Sequence, residues 1–361
     1  MRADPRKDTK LLSALSLVAP GTTLRAGIDD IIRARAGALI VIGEPSELSF
    51  LFSGGMRLEL PLTAQLLYEL SKMDGAIIVN PPLTKLAYAN VQLMPDPTIA
   101  SSETGTRHRT AERVAKQTGA VVLSISQQRE TVTLFVDNLR YQLGDIAEVL
   151  ARTNQALGTL ETYKTRLDQG LTRLTALEFQ GAVMLDDVLV VLQRAEMVTR
   201  MAREIELNCV ELGEEARLIR MQLEEQMEDV PREKAAVVFD YELSADPDGA
   251  RAALERLAQT PYQRLLEFEE LAEVLGYPRD TNPLDYNVAP RGYRVLQRIP
   301  RIPDPVIRHL VRDFESLEAL VRASHRDLEA VDGVGAVRAR DIREGLRRLQ
   351  EHNLVDRYLQ M

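Results

Sequence analysis

Asp74-Gly75-Ala76-Ile77-Ile78-Val79 sets four apolar residues in a row behind an Asp-Gly pair, and Asn80-Pro81-Pro82 stops the run. A short unbroken apolar run closed off by turn residues predicts a strand buried on both faces. Working outward, Ala38–Ile42, stopped by Gly43, is a second run of the same kind. Leu48–Phe52 reads as another extended piece, ended by Ser53-Gly54-Gly55, and Leu86–Leu93 alternates loosely as a strand. Ala120–Ile125 and Thr131–Val136 are two more, and their four-residue link, Gln127–Glu130, predicts a hairpin. Helical spacing covers 9–36, where Thr22-Thr23 caps a segment whose Leu24, Ile28, Ile31 and Ile32 share a face. Leu62–Lys72, with Thr63 near its start, and Ala111–Gln117, closed by Gly119, are further helices. About six strands and several helices in residues 1–140 give an α/β domain with a mixed sheet covered by helices.

The pattern then changes. From 139 to 230 apolar residues recur at three and four, as at Leu143, Ile146, Val149 and Leu150, and no proline occurs between Pro97 and Pro231. That predicts long helices in a bundle or spine. Residues 231–247 read as an irregular connector and Arg251–Leu275 as helix again. Gly276–Pro290 holds three prolines and marks a boundary before a small helical tail. The expected domains are 1–140, 141–288 and 289–361: α/β, then an all-α spine, then a small all-α domain.

Charge is spread unevenly. The net −9 divides into +1 over 1–145, −7 over 146–230, −6 over 231–290 and +3 over 291–361, where all the basic residues are Arg. The acidic middle is a poor nucleic-acid partner and the arginine-rich tail a good one. Cys209 is the single cysteine, so neither an internal disulfide nor a cysteine-based zinc site is available, and it reads as a small buried apolar residue. Aromatics make up 5% and Trp is absent, which suits helix-rich structure built on Leu, Val and Ala. No run of about eighteen apolar residues is present, and the polar Met1–Asp8 leads into too short an apolar stretch for a signal sequence, so a cytosolic protein without a membrane span is expected.

Two stretches of the first domain carry chemistry. In Ser101-Ser102-Glu103-Thr104-Gly105-Thr106-Arg107-His108-Arg109-Thr110, a small hydroxyl-rich turn feeds a helix. Free amides and the positive helix end, joined by two guanidiniums and an imidazole, suit a polyphosphate; the plainer reading is a solvated helix start. Asp74 at the mouth of a buried strand, followed by Gly75 where another backbone approaches, suits a metal-bound carboxylate beside a nucleotide; the plainer reading is an Asp-Gly turn. In the tail, Asp327–Ile342 places Leu328 and Val331 at the end of one helix, Gly333-Val334-Gly335 in a tight turn, and Ala339 and Ile342 in the next helix. The glycines clear side chains so that backbone amides can meet a phosphate, Val334 plugs the turn into the core, and Arg338, Arg340 and Arg343 reach neighbouring phosphates. Val295–Val306 repeats the layout with Pro300 and Pro303 in place of the glycines, which favours packing over phosphate contact.

Asp74-Gly75-Ala76 with Arg107-His108-Arg109, about thirty residues on, resembles the diadenylate cyclase domain, which condenses two ATP into cyclic di-AMP. The tail motif resembles a helix-hairpin-helix, which binds DNA without reading sequence. Domain order and length together resemble the bacterial DNA integrity scanning protein family over essentially the whole chain. That resemblance implies that Gly75, Ala76 and Leu93 line the adenosine pocket, that Thr106, Arg107, His108, Arg109 and Thr110 hold the triphosphate, and that Asp74 binds Mg²⁺ or Mn²⁺ and helps activate the ribose 3′-hydroxyl. It implies that Arg107 and Arg109 offset phosphate charge, while His108 hydrogen-bonds a phosphate without transferring a proton. It implies a homo-octamer with facing cyclase domains, a nucleoid-associated place in the cytoplasm, a part in DNA damage and repair, and DNA contacts at Gly333, Val334, Gly335, Arg338 and Arg340 on branched DNA such as recombination intermediates. A DNA-binding scaffold without chemistry would need neither Asp74 nor the Arg-His-Arg run. An ATP hydrolase with DNA-dependent activity lacks support, because there is no Gly-x-x-x-x-Gly-Lys-Ser/Thr loop.

Overall fold

Two unbroken apolar runs form the middle of a sheet. β1 (Ala38–Ile42) and β4 (Ala76–Val79) are buried at every residue and pair in parallel, Leu39 opposite Ala76 and Ile42 opposite Val79. The computed structural model describes residues 9–359, with side chains from 9 to 351; the reading of Met1–Asp8 lies outside the described residues. The chain divides into two compact units, 1–156 with 204–222, and 157–203 with 223–361.

In the first unit the elements run α1 (Thr9–Leu17), α2 (Thr23–Arg33), β1, α3 (Pro45–Leu48), β2 (Phe52–Ser53), β3 (Met56–Pro61), α4 (Ala64–Ser71), β4, β5 (Lys85–Leu93), α5 (Thr106–Thr118), β6 (Val121–Ser126), β7 (Thr131–Val136) and β8 (Leu139–Gln142). Among the described residues the sheet has eight strands, ordered β2-β5-β4-β1-β6-β7-β8, with β3 beside β5. Only the β1–β4 pairing is parallel, so the sheet is mixed, and β6 and β7 form the expected hairpin. Successive strand side chains point to opposite faces, and β1 shows it. Ile40 and Ile42 pack with Leu11, Leu24, Ile28 and Leu67 of α1, α2 and α4, whereas Leu39 and Val41 pack with Ala111, Val114 and Ala115 of α5. The capping residues behave as expected: Thr22 and Thr63 accept from Arg25 N and Leu66 N, and Gly119 closes α5 at φ +70.

Several expectations fail for physical reasons. The single helix over 9–36 is two, broken at Pro20-Gly21, where Gly21 has φ +94. Leu48–Phe52 is mostly helical turn, and the strand proper is Phe52–Ser53. β3 lies outside the predicted strands: Met56-Arg57-Leu58-Glu59-Leu60 does alternate apolar with charged residues, but nearly all of them are exposed and a bulge at Glu59 interrupts the pairing, so the strand depends on β5 beside it. β8 lies where the sequence predicts the start of the spine, but it pairs with β7 instead.

The helical region contains α6 (Ile146–Gln180), α7 (Leu185–Leu212), α8 (Arg217–Met227), α9 (Val230–Tyr241), α10 (Pro247–Gln259), α11 (Phe268–Val274), α12 (Tyr293–Gln297), α13 (Asp304–Phe314), α14 (Leu317–Arg322), α15 (His325–Glu329) and α16 (Ala336–Leu359). The connector expected at 231–247 is helix α9 in large part, because Pro231 sits in the first turn, where its missing N–H has no partner to lose. The helix expected over Arg251–Leu275 is split after Gln259, at Thr260-Pro261. Cys209 is buried and unbonded, and burial pushes its thiol pKa up. Among the described residues no helix is long and apolar enough to cross a membrane.

The second unit is held by a buried polar network. Arg294, 1% exposed, donates to Glu178 through Nε and Nη2 (3.0 and 3.1 Å) and to Glu233 at 3.1 Å. Asp240 accepts from the amides of Gly292, Tyr293 and Arg294 at 2.7–3.0 Å, capping the start of α12. Burial and the Glu178 charge push Asp240 up to about 7, against the pull of those amides and Arg294. A separate apolar core joins Val295, Ile299, Ile302, Ile307, Val334 and Ile342, so the two helical hairpins α12–α13 and α15–α16 share one interior.

Candidate functional site

The pairing of the sheet carries distant residues to one edge. β1 and β4 begin there, in register at Leu39 and Ala76; β5 ends there, with Val91 opposite Ala76; β6 ends there, with Ile125 opposite Ala38. Asp74 is exposed at that edge, just before β4. Gly75 has φ +86, and a Cβ on it would lie 2.8 Å from the Val91 carbonyl oxygen, so this position requires glycine. Ala76 is fully buried behind it, and Leu93, 8% exposed, ends β5 beside Phe52 of β2.

The opposite wall is α5. Its N-cap is Gly105, which has no side chain to cap with, and its ladder starts with Arg109 N–H to the Gly105 carbonyl. The amides ahead of that bond and the helix dipole form a ready anion site. Arg107, His108 and Arg109 all fall in this first turn, with Thr106 before them and Thr110 after. Arg107 reaches back to the end of β6, with Nη1 3.5 Å from the Ile125 carbonyl. Through Arg107 the start of α5 lies at the end of the sheet where β1 and β4 begin. Burial above all holds the His108 pKa below the usual imidazole value; Arg140, Arg107 and Arg129 act the same way and Glu103 opposes them. Burial thus disfavours the charged imidazole, with Glu103 and three arginines as its charged neighbours.

Four supporting residues escaped the sequence reading. Gly37 clears the space that the Arg107 guanidinium fills. Glu112, on the turn of α5 behind the site, accepts from Ser101 Oγ at 2.5 Å, Ser102 N at 3.0 Å and Lys116 Nζ at 2.7 Å, which pins the loop before Gly105. Arg140 of β8 pairs with Glu103 of that loop at 2.5 Å. Arg129, from the β6–β7 turn, adds positive potential. The only signal in the sequence was Glu112, five residues after Arg107 on the same short helix. The other three depend on strands far along the chain. Among the described residues no three metal-ligating side chains cluster. A single exposed carboxylate, Asp74, fits a Mg²⁺ or Mn²⁺ whose shell is completed by substrate phosphates and water.

The tail holds the second candidate site. Gly333 has φ +82, Val334 is buried, and the ladder of α16 opens with Ala339 N–H to the Gly335 carbonyl. A side chain at Gly335 would meet nothing within 4 Å, so the start of α16 lies open. Arg340 and Arg343 are exposed, while Arg338 folds back to donate to the Gly333 carbonyl at 2.6 Å. The first hairpin matches in shape only. Arg301 takes the left-handed conformation at φ +68, Ile302 is the buried plug, and α13 opens on Pro303-Asp304-Pro305. Two prolines remove amides and Asp304 repels anions, so that turn offers no phosphate cradle.

Comparison with known proteins agrees with this layout. Residues 25–139 match the family model described as DisA bacterial checkpoint controller nucleotide-binding, and residues 143–284 match the DisA bacterial checkpoint controller linker region. The DNA integrity scanning protein DisA of Carboxydothermus hydrogenoformans is 47% identical over 345 residues, 96% of this chain and 98% of the relative. That of Bacillus subtilis is 46% identical over 356 residues, 98% of each. A solved structure of DacA from Staphylococcus aureus is 25% identical, covering 37% of this chain and 85% of that one at a TM-score of 0.27. With near full-length relatives at this identity and both family models matched in order, the chain belongs to the DisA family of bacterial checkpoint controllers.

Proposed function

We propose that this chain is a diadenylate cyclase, converting two ATP into cyclic di-AMP and two pyrophosphates, and that its tail binds DNA without reading base sequence. The observation that carries the first half is the meeting, at one sheet edge, of Asp74, Gly75 and Leu93 with the uncapped start of α5 and its Arg107-His108-Arg109 turn. The adenosine lies against Gly75, Ala76 and Leu93, and the triphosphate meets Thr106–Thr110. Each ribose 3′-oxygen bonds to the α-phosphorus of the other ATP, the bond from that phosphorus to the leaving pyrophosphate breaks, and the hydroxyl proton passes to solvent water. Arg107 and Arg109 offset charge on the phosphates, and the neutral His108 serves as a hydrogen-bond partner to them. A Mg²⁺ or Mn²⁺ held by Asp74, when bound, lowers the pKa of the hydroxyl and neutralises phosphate charge.

One such site per chain holds one ATP, so two copies must face each other, consistent with a homo-oligomer such as the octamer the family resemblance implies. Division into a cyclase domain over 1–140, a spine over 141–288 and a DNA-binding tail over 289–361 belongs to the same reading, as do a nucleoid-associated place in the cytoplasm and inhibition by branched DNA. The open start of α16 at Gly333–Gly335, with Arg338, Arg340 and Arg343, supports the DNA half. The test is incubation of the full chain with ATP and Mg²⁺ or Mn²⁺, with chromatography of the products, with and without linear or branched DNA. Cyclic di-AMP is expected. DNA binding with no dinucleotide formed under any metal would leave a scaffold and overturn the cyclase assignment.

A further inference from the structure

A cleft of about 310 Å³ opens in the second unit, among α9, α10, α12 and α13, and no role described so far uses it. Its floor is a ring pair, Phe239 and Tyr293, with centroids 5.3 Å apart and planes tilted by 50°, both half-buried. Its rim carries Arg232, Arg251 and Arg308, one from each of three helices and all exposed, with Gln297 between them. Asp304 is the one acidic residue in the lining. Arg251 is shared with Asp248 at 2.6 Å, and Arg232 donates to the Gln297 carbonyl at 3.3 Å. The lining is net positive; Arg232 and Arg251 come from residues 231–290, which are acidic by six charges, and Arg308 comes from the basic tail.

Half-buried aromatic rings lining a cleft beside guanidiniums form the combination that stacks a base and grips its phosphate. An acidic peptide would answer the charge but leave the ring pair without a planar partner. The cleft also runs along α12 and α13, the helices of the hairpin whose prolines remove the amide cradle. Resting on the DNA-binding reading above, we propose that this cleft takes up one unpaired nucleotide of bound DNA, its base against Phe239 and Tyr293 and its phosphate at the arginine rim. The glycine hairpin would then grip duplex backbone while the proline hairpin reports an interrupted duplex, such as a branch point.

The experiment uses the full chain and synthetic three-way junctions bearing a single unpaired 2-aminopurine at the branch, against a fully paired duplex of equal length. The wild type is expected to bind the junction more tightly and to change the probe's fluorescence as the base stacks. Phe239→Leu with Tyr293→Leu keeps apolar volume and removes the rings; it should lose junction affinity by roughly five- to a hundredfold and leave duplex affinity unchanged. Arg251→Ser with Arg308→Ser alters exposed residues only, and should show the same selective loss if the ring variant fails to fold. Equal binding of junction and duplex by the wild type, or an unaltered probe signal, overturns the proposal while leaving duplex binding intact. Loss of the signal on adding micromolar deoxyadenosine monophosphate would assign the cleft to a free nucleotide and overturn it as well. Failure to bind either DNA would instead overturn the DNA-binding reading itself, and this proposal with it.

Discussion

The guanidinium of Arg107 fills the space left by the absent side chain of Gly37: a Cβ there would sit on Nη1, closer than two non-bonded atoms can come. The obstacle is the far end of a flexible side chain, so Gly37→Ala should fold and displace the guanidinium. Cyclic di-AMP output is expected to fall roughly tenfold or more, since misplacement of about 1 Å is enough for such losses. Unchanged turnover in a protein with the same melting temperature would show that Arg107 does not act from this position.

Asp74→Asn tests the acidic half of the site. The residue is exposed and its carboxylate has no packing role, so fold and assembly should be unaffected. If Asp74 holds the cation as proposed, removing its charge should lower activity by roughly a thousandfold or more. A folded Asp74→Asn protein with near-normal product formation would move the metal elsewhere.

Arg294→Met tests the network under the tail. The substitution leaves the buried Glu178 carboxylate with only the Tyr241 hydroxyl and no cation. Breaking such a pair destabilises by about 3–5 kcal/mol, measurable by urea unfolding. Replacing Glu178 by Gln in the same chain should restore much of the loss, because the unpaired charge is then gone.

Asp240 gives that network a pH dependence whose sign follows from its burial. Its pKa is raised, from 3.8 to about 7, so between those values the folded chain holds a proton that the unfolded chain lacks. Its contribution is therefore least favourable above about pH 7 and improves as pH falls, by about 1.4 kcal/mol per pH unit across that window. Asp240→Asn cannot take up the proton. The wild type should gain stability relative to this variant on going from pH 8 to pH 5.5; a constant difference in melting temperature across that range would contradict the assignment.

Arg340→Ser probes the second hairpin. Loss of one phosphate contact should weaken DNA binding alike for all base sequences and lower the slope of log affinity against log salt by about one. A sequence-selective loss in filter binding would mean that Arg340 reads bases.

Much of this protein was legible before any coordinates. Ala38–Ile42 and Ala76–Val79 could only be interior strands, Thr63 and Gly119 could only bound helices, and the Asp-Gly-Ala, Arg-His-Arg and Gly-Val-Gly stretches stood out as site candidates, because each rests on local backbone chemistry or a short period. What spacing along the chain could not decide depends on which segments meet. Asp74, Leu93 and Arg107 share an edge only because β1 and β4 pair in parallel while β5 and β6 run against them. β3 and β8 lie on the margins of the sheet; each alternates apolar with polar residues, Met56-Leu58-Leu60 and Leu139-Tyr141, but over so few residues that only pairing with β5 and β7 makes them strands. Pro231 looked like a breaker and proved to be a first-turn residue, a difference set by where α9 begins. Gly37 beside Arg107, and Glu178 beside Arg294 at a separation of 116 residues, are long-range packings whose complementarity resides in neither partner alone.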